Sequence, residues 1–375
     1  MISPKYFIDK LSSLQIDFFT GVPDSLLKNI CAYITDNSLV ENNIIAANEG
    51  GAVGLAAGYH LATGRIPVVY MQNSGEGNII NPLMSLTDKE VYNIPLLLII
   101  GWRGEPGIKD EPQHIKQGKV TLPLLETMGI KYEILSQSEE ECSIQLDRAV
   151  KYIEKTKEVY ALIVQKGTFS DYKLQNKGET TFSLSREEAI QIVTSSIEED
   201  AIIVSTTGMI SRELFEYRES VKQNHEKDFL TVGSMGHASQ IALGIALQQK
   251  KRKIYCFDGD GATLMHMGSM AIIASMMPKN YIHVIFNNGA HDSVGGQPTV
   301  GLQINLPQIA EACGYQKAMS VSNIDELKQQ IKNIRMMSGP ILLEIKVKKG
   351  ARIDLGRPTT TPIQNKESLM SFLNK

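Results

Sequence analysis

The sequence contains little cysteine, no excess of charge of either sign and no long hydrophobic run, and each shortage excludes a class of protein. Its 4 cysteines are far apart and none forms a Cys-x-x-Cys motif, so neither a zinc site nor a redox pair is predicted. The longest apolar run, Ile94–Ile100, contains Pro95 and is too short to span a bilayer. The formal net charge of -3 provides no basic surface for a nucleic acid.

Two further motifs are missing. The first residues, Met1 to Lys5, do not resemble a signal peptide, so we expect a cytoplasmic protein with no membrane partner. No Gly-x-Gly-x-x-Gly motif follows a predicted strand, because Ile80 and Leu264 stand where the third glycine is needed. The sequence therefore disfavours a nicotinamide-dependent dehydrogenase.

Strand-like apolar runs alternate with helix-like segments along the chain, which predicts an α/β fold whose mainly parallel sheets are flanked by helices. A polar stretch, Thr168–Thr181, reads as a linker, and Ser185 and Glu188 then have the spacing of a capping box that starts a helix. We predict two domains, residues 1–168 and 185–375, joined by a linker at 169–184. The predicted strands are Val68–Gln72, Leu96–Ile100, Tyr160–Gln165, Ala201–Ser205, Ile254–Phe257, Tyr281–Phe286 and Ile341–Val347.

The most informative segment follows the predicted strand Ile254–Phe257, where Gly259-Asp260-Gly261 makes a sharp turn. A predicted helix, Thr263–Met277, and a second strand lead to Asn287-Asn288-Gly289. Because the carboxyl ends of parallel strands meet at one sheet edge, a carboxylate and an amide oxygen come together there. These are ligands that suit Mg²⁺, which keeps open positions for phosphate oxygens. The alternative is two solvated turns, one Asp-Gly and one Asn-Gly.

A second candidate carboxylate lies in the first half of the chain. Glu49 stands between a predicted strand and a helix, about Gly50–Ala62, that is rich in glycine and alanine. Glycine lowers helix stability by roughly 1 kcal/mol per residue relative to alanine, so close packing of this helix is expected to offset the loss. A helix amino terminus also favours the charge of Glu49.

Taken together, these motifs resemble the thiamine-diphosphate-dependent decarboxylase family, whose signature is Gly-Asp-Gly, some 25–30 residues, then Asn. The resemblance covers nearly the whole chain and implies a pyrimidine-binding domain followed by a domain that binds the diphosphate and Mg²⁺. It assigns Asp260, Asn288 and the carbonyl of Ala290 as metal ligands, with Asn287 as an alternative to Asn288. The turn residues expected to contact the coenzyme are Gly259, Gly261 and Ala262.

The same resemblance implies roles for other residues. Glu49 would bind N1′ of the aminopyrimidine, and Asp24, in a Gly-Val-Pro-Asp turn, would lie in or beside the catalytic cleft. Gly233 and Met235 would contact the 4′-amino group and support the bent coenzyme. Thr207 and Gly208 would approach the diphosphate, although small residues after a buried strand are also common.

Segments around Trp102-Arg103 and Glu111-Pro112 resemble compact family members that act on short anionic 2-oxo acids such as 3-phosphonopyruvate and sulfopyruvate. We expect phosphonopyruvate as substrate, with His114 and His291 among the candidate catalytic or anion-binding residues. Glu76 departs from the family, which has an apolar residue there, and it favours the alternative of a non-catalytic subunit. The resemblance also implies a homo-oligomer, at least a dimer, with active sites between subunits.

Overall fold

The computed structural model of the protein describes residues 1–176, 178 and 180–374. It divides into two compact units, Met1–Lys177 with Val294–Gln297, and Gly178–Ser293 with Pro298–Lys375. In the part of the chain that is described, no helix combines the length and the hydropathy of a membrane-crossing segment.

The first unit is built on a six-stranded parallel sheet with the strand order β2-β1-β3-β4-β6-β5. Successive side chains of β4 enter opposite layers of the core: Leu97 and Ile99 pack on one face, Leu98 and Ile100 on the other. Burial on both faces explains why the central strands are continuous apolar runs. The strands are β1 (Phe19–Gly21), β2 (Asn43–Ile45), β3 (Val68–Gln72), β4 (Leu97–Gly101), β5 (Lys131–Ile134) and β6 (Tyr160–Val164). The helices are α1 (Pro4–Ser13), α2 (Lys28–Asn37), α3 (Glu49–Thr63), α4 (Glu76–Pro82), α5 (Pro112–Thr127) and α6 (Glu139–Thr156), with 3-10 turns at Val40–Asn42 and Asn73–Gly75 and a π turn at Leu83–Thr87.

The second unit also contains a six-stranded parallel sheet, with the order β13-β14-β10-β9-β7-β8. Val284 and Ile285 of β10 again point into opposite core layers. The strands of this half are β7 (Ile202–Ser205), β8 (Asp228–Leu230), β9 (Ile254–Gly259), β10 (Tyr281–Asn287), β11 (Ala290–His291), β12 (Gln297–Pro298), β13 (Lys317–Val321) and β14 (Ile341–Lys346). The helices are α7 (Arg186–Ser196), α8 (Met209–Ser220), α9 (Ala238–Gln248), α10 (Asp260–Met265), α11 (Ser269–Met276), α12 (Leu306–Cys313), α13 (Ile324–Arg335) and α14 (Pro362–Leu373), with a 3-10 turn at Asp292–Val294.

The predicted fold class is confirmed, and the predicted helix start at Ser185 has the expected capping box. The Ser185 side chain accepts from the Glu188 amide while the Glu188 carboxylate accepts from the Ser185 amide, as a capping box requires. At α3 the side chain of Asn48 accepts from the Gly51 amide at 2.8 Å, so the helix begins at Glu49.

The predicted single helix Thr263–Met277 is wrong. A helix already begins at Asp260, directly after β9, and it ends at Met265. His266 adopts φ -133° and ψ 47°, which is not helical, and a new helix begins at Ser269 after Gly268. Strand β9 also runs two residues further than predicted, because Gly259 still pairs with Phe286 of β10.

Candidate functional site

Glu49 is fixed at the amino terminus of α3, at the carboxyl edge of the first sheet. Its side chain is 5% exposed, and its Oε2 accepts a hydrogen bond from Asn78 Nδ2 at 2.7 Å. Gly75, in the turn after β3, leaves the space that this carboxylate occupies, since a Cβ there would lie 2.5 Å from Glu49 Oε1. Two neighbouring segments thus determine the position of one buried acid.

Asp24 follows β1 and is fully buried in the same unit. Its Oδ2 accepts from the Leu26 amide at 2.8 Å, and a Cβ at Gly101 would lie 2.4 Å from the same oxygen. Burial raises the pKa of Asp24 to about 6, although the Leu26 amide and the nearby Arg103 oppose the rise. The group is therefore poised to exchange a proton close to neutral pH.

Arg103, at the end of β4, is already paired. Its Nε donates to Asp110 at 2.7 Å, a second nitrogen donates to the other carboxylate oxygen, and Nη1 donates to Ser25 Oγ at 2.7 Å. Nearby, burial and the charge of Arg103 lower the pKa of His114 to about 4, so its ring is neutral at pH 7. Neither side chain offers this part of the first unit an uncompensated positive charge.

Glu76 starts α4 and is 2% exposed. Its carboxyl interacts with the Thr121 hydroxyl, while Oε1 has no hydrogen-bond partner among the described residues. Thr121 also accepts from Asn73, whose amide bonds the backbone of Arg103. Burial raises the pKa of Glu76 to about 8, so this departure from the family pattern is an uncharged acid at neutral pH.

In the second unit, Asp260 is the first residue of α10 at the carboxyl end of β9. It is 2% exposed, it accepts from the Thr299 hydroxyl and from the Asn288 backbone amide, and burial raises its pKa to about 6. No lysine or arginine pairs with this carboxylate among the residues that the structure describes. A buried acid without a cationic partner favours uptake of a cation.

Asn288 and Ala290 lie beside Asp260 because β10 neighbours β9 in the sheet. The side-chain Nδ2 of Asn288 donates to Asp292 at 2.6 Å, and its Oδ1 accepts from the Ala290 amide at 3.0 Å. Asn287 has a different environment, since its amide is bound by Gly301 O and by Glu344 at 2.8 and 2.7 Å. In both residues the side-chain oxygen accepts from the backbone amide two residues further on, at 3.0 Å in Asn288 and 3.2 Å in Asn287.

Around Asp260, neighbouring side chains lie so close to the backbone of Gly261 and Gly301 that only glycine fits at these positions. A Cβ at Gly261 would lie 2.9 Å from the His291 ring, and one at Gly301 would lie 2.6 Å from Asp260 Cβ. Burial also lowers the pKa of His291 to about 4, so its ring is neutral at pH 7.

The remaining predicted coenzyme contacts surround the same edge. Thr207 Oγ1 donates to Val232 O at 2.8 Å, which ties the loop after β7 to the segment that carries Gly233 and Met235. Gly208 has φ 95°, and a Cβ there would lie 3.9 Å from Ser293 Oγ. A Cβ at Gly236 would lie 3.2 Å from Ala262 O, so this loop also lies against α10.

The donor set of this edge fits a hard divalent cation. It offers one carboxylate, one side-chain amide oxygen and one backbone carbonyl, all oxygens, from Asp260, Asn288 and Ala290. The buried charge of Asp260, the turn glycines and the loop after β7 together make a place where a cation and a phosphate group can approach the backbone closely.

Comparison with known families identifies the chain as a thiamine pyrophosphate enzyme. The family model "Thiamine pyrophosphate enzyme, N-terminal TPP binding domain" matches residues 4–122, and "Thiamine pyrophosphate enzyme, C-terminal TPP binding domain" matches residues 206–345.

Curated relatives match the chain over most of its length. "Phosphonopyruvate decarboxylase" from Streptomyces viridochromogenes is 30% identical over 100% of this chain and 95% of that protein. "Phosphonopyruvate decarboxylase" from Streptomyces hygroscopicus is 31% identical over 96% of this chain and 92% of that protein. "Sulfopyruvate decarboxylase" from Methanosarcina acetivorans is 29% identical over 92% of this chain and 90% of that protein.

The chain therefore belongs to the family of thiamine pyrophosphate enzymes and, within it, to the 2-oxo acid decarboxylases. The family, the enzyme class and the coenzyme, thiamine diphosphate, are confirmed as predicted from the sequence. The roles of individual residues stay predictions.

Several residues that shape the two edges were not identified from the sequence. Asn78 binds Glu49, Thr299 binds Asp260, and Asp292 binds Asn288. A signal was available only for Asn78, because it lies in the same turn-helix segment as Gly75. The other two lie in loops whose course the local sequence does not reveal.

Proposed function

We propose that the protein decarboxylates 3-phosphonopyruvate to phosphonoacetaldehyde and CO₂, a step of phosphonate biosynthesis. The observation that carries this proposal is the match to two proteins named phosphonopyruvate decarboxylase, which extends over 96% or more of the chain. The buried acids Glu49 and Asp260 supply the chemistry that such an activity needs.

When bound, thiamine diphosphate supplies the nucleophilic carbon and the electron sink for loss of CO₂ from a 2-oxo acid. In our proposal Glu49 binds the aminopyrimidine ring, with its carboxylate held by Asn78 and given space by Gly75. The burial of Glu49 excludes water, so its hydrogen bond to a ring nitrogen is stronger than at the surface.

We assign the diphosphate end to the second unit. Asp260, Asn288 and the Ala290 carbonyl hold Mg²⁺, which is the usual metal partner of this coenzyme. The diphosphate approaches the backbone at small residues, namely Thr207, Gly208, Gly259, Gly261 and Ala262. The rings are contacted by Gly233 and Met235. The tie between Thr207 and Val232, together with the close approach of Gly236 to Ala262, supports this grouping.

For the proton that completes the product, Asp24 is better suited than either histidine. Its pKa of about 6 lies near neutral pH, whereas those of His114 and His291 lie near 4. A group whose pKa is close to the working pH both holds and releases a proton efficiently. We therefore place Asp24 in the role of proton donor and the two histidines as neutral hydrogen-bonding groups.

Sulfopyruvate is the second candidate substrate, because the relative from Methanosarcina acetivorans is similar over 92% of this chain. The terminal anions of the two substrates have the same tetrahedral shape and differ in charge. Incubation of the enzyme with Mg²⁺, thiamine diphosphate and each acid separately, followed by mass identification of the aldehyde, distinguishes them. Faster CO₂ release from sulfopyruvate would overturn our choice of substrate.

We further infer a homo-oligomer, at least a dimer, in which Glu49 of one subunit serves coenzyme held by another. The outer face of α3 supports this, since Gly51, Gly54, Leu55, Gly58 and Leu61 are exposed and uncharged. Leu61 is 73% exposed. Sedimentation of Leu61→Asp should show a shift towards monomer together with loss of activity, and an active monomer would contradict the model.

A further inference from the structure

Beside the proposed metal ligand Asn288, four side chains of the second unit form a continuous series of hydrogen bonds. Asn288 Nδ2 donates to Asp292 Oδ2 at 2.6 Å, and Arg186 Nη1 donates to the same oxygen at 3.0 Å. Arg186 in turn donates to both oxygens of Glu213, at 2.8 and 2.9 Å. The series connects Asn288 to the start of α7 and to the interior of α8.

This arrangement gives Asp292 a fixed position. Arg186 and Glu213 are 5% and 2% exposed and are joined by two parallel hydrogen bonds, so the pair forms a rigid frame. The backbone amide of Gly350 also donates to Asp292 Oδ2, at 3.0 Å. Three segments far apart in the sequence therefore hold one carboxylate oxygen in place.

The fixed carboxylate selects one orientation of the Asn288 amide. Only the oxygen end of an asparagine side chain can bind a cation, whereas the nitrogen end carries two donor hydrogens. If the amide were reversed, its oxygen would face the Asp292 oxygen at the 2.6 Å now spanned by a hydrogen bond, and two acceptors would repel. With the observed orientation, Oδ1 accepts from Ala290 and keeps a second lone pair.

We propose that Asp292 is a positioning residue that orients the amide of Asn288 so that its oxygen binds the divalent cation. This inference rests on the proposed role of Asn288 as a metal ligand. Partners that orient metal ligands typically change metal affinity 10–100-fold when they are removed. The frame of Arg186 and Glu213 makes the orientation permanent rather than induced by the metal.

Calorimetric titration of Mg²⁺ into the full-length protein with saturating thiamine diphosphate measures the affinity directly, without an activity assay. We expect Asp292→Ala to weaken Mg²⁺ binding about 10–100-fold. Asp354→Asn is the matched control, because Asp354 is 81% exposed and pairs with Arg352 at the surface; its Mg²⁺ affinity should be unchanged.

A second pair of variants separates orientation from general stability. Asn288→Asp replaces the amide by a symmetric carboxylate, which needs no orientation and which Asp292 would repel. Adding Asp292→Ala to Asn288→Asp should therefore strengthen Mg²⁺ binding, the reverse of its effect beside Asn288. A structural role alone would weaken binding in both backgrounds, and this comparison remains available if Asp292→Ala alone does not fold.

The outcomes are distinct. If the unaltered protein takes up no Mg²⁺ with thiamine diphosphate, the proposed metal site itself is refuted. If it binds Mg²⁺ but Asp292→Ala binds within twofold of it, or if the effect has the same sign in both backgrounds, only the positioning role is refuted.

Discussion

The most direct test of the electrostatics concerns Glu76, whose buried carboxyl has no cationic partner among the described residues. Because its pKa rises from 4.5 to about 8 on folding, the folded protein binds a proton that the unfolded chain releases. The contribution of Glu76 to the free energy of unfolding is therefore fully present below pH 4.5 and decreases as the pH rises. The decrease levels off above about pH 8. At 1.36 kcal/mol per pH unit the full loss is roughly 5 kcal/mol, of which about 3 kcal/mol is already lost at pH 7.

The isosteric variant Glu76→Gln removes this titration and keeps the shape. Urea unfolding of both proteins should be measured between pH 5 and pH 9. Over that range the free energy of unfolding of the variant should increase by about 4 kcal/mol relative to that of the unaltered protein. All other titrating groups are shared, so they cancel in the difference.

Glu90→Gln is the matched control, because Glu90 lies in the same unit and is exposed. The contrary result is a free energy of unfolding of Glu76→Gln that, relative to the unaltered protein, stays constant with pH within about 1 kcal/mol. That result would show that the Glu76 carboxyl is solvated or paired, and it would refute the reasoning from burial.

Three further predictions concern the proposed roles. Glu49→Gln should keep the rise in melting temperature caused by Mg²⁺ and thiamine diphosphate but lower the rate of hydrogen–deuterium exchange at the thiazolium carbon by about 10²–10⁴-fold; unchanged exchange would refute the role of Glu49. Asp260→Ala should abolish the melting-temperature rise, which for coenzyme at 100 times its Kd reflects about 2.7 kcal/mol of binding. If Asp24 donates the final proton, kcat should fall as the pH rises through about 6, and Asp24→Asn should lower kcat and remove that inflection. An inflection that persists in Asp24→Asn belongs to another group.

The central strands were predictable from sequence because both of their faces are buried. β4 and β6 are continuous apolar runs, and such runs between turn residues are typical of parallel sheets. The short strands β5 and β8 were not predicted. β5 is exposed or half-buried along its length, and β8 has only 3 residues, so neither has an uninterrupted apolar run.

The break between α10 and α11 shows a different limit. Residues 263–277 are mostly apolar, which favours one continuous helix, and a single internal glycine such as Gly268 does not by itself predict a break. In the folded chain Gly236 lies against Ala262 and Met265, a contact at the end of α10 that the local sequence does not reveal.

At the candidate site, the motif residues were predictable and their supporting residues were not. Asp260 and Asn288 end adjacent strands, so their proximity follows from parallel topology. Asp292 and Arg186 are 106 positions apart, and Thr299 and Asp260 are 39 apart, so their contacts depend on loops that no local pattern specifies.

The absence of a side chain at residue 75 has a consequence for deciding which homologous proteins are active. A methyl group there would collide with the movable end of Glu49 rather than with the backbone, so the domain would still fold while its acid was displaced. A homologue could therefore keep every charged residue of the motif and nonetheless be inactive. If Glu49 has its proposed role, the glycine at position 75 is required for activity as much as the glutamate that it accommodates.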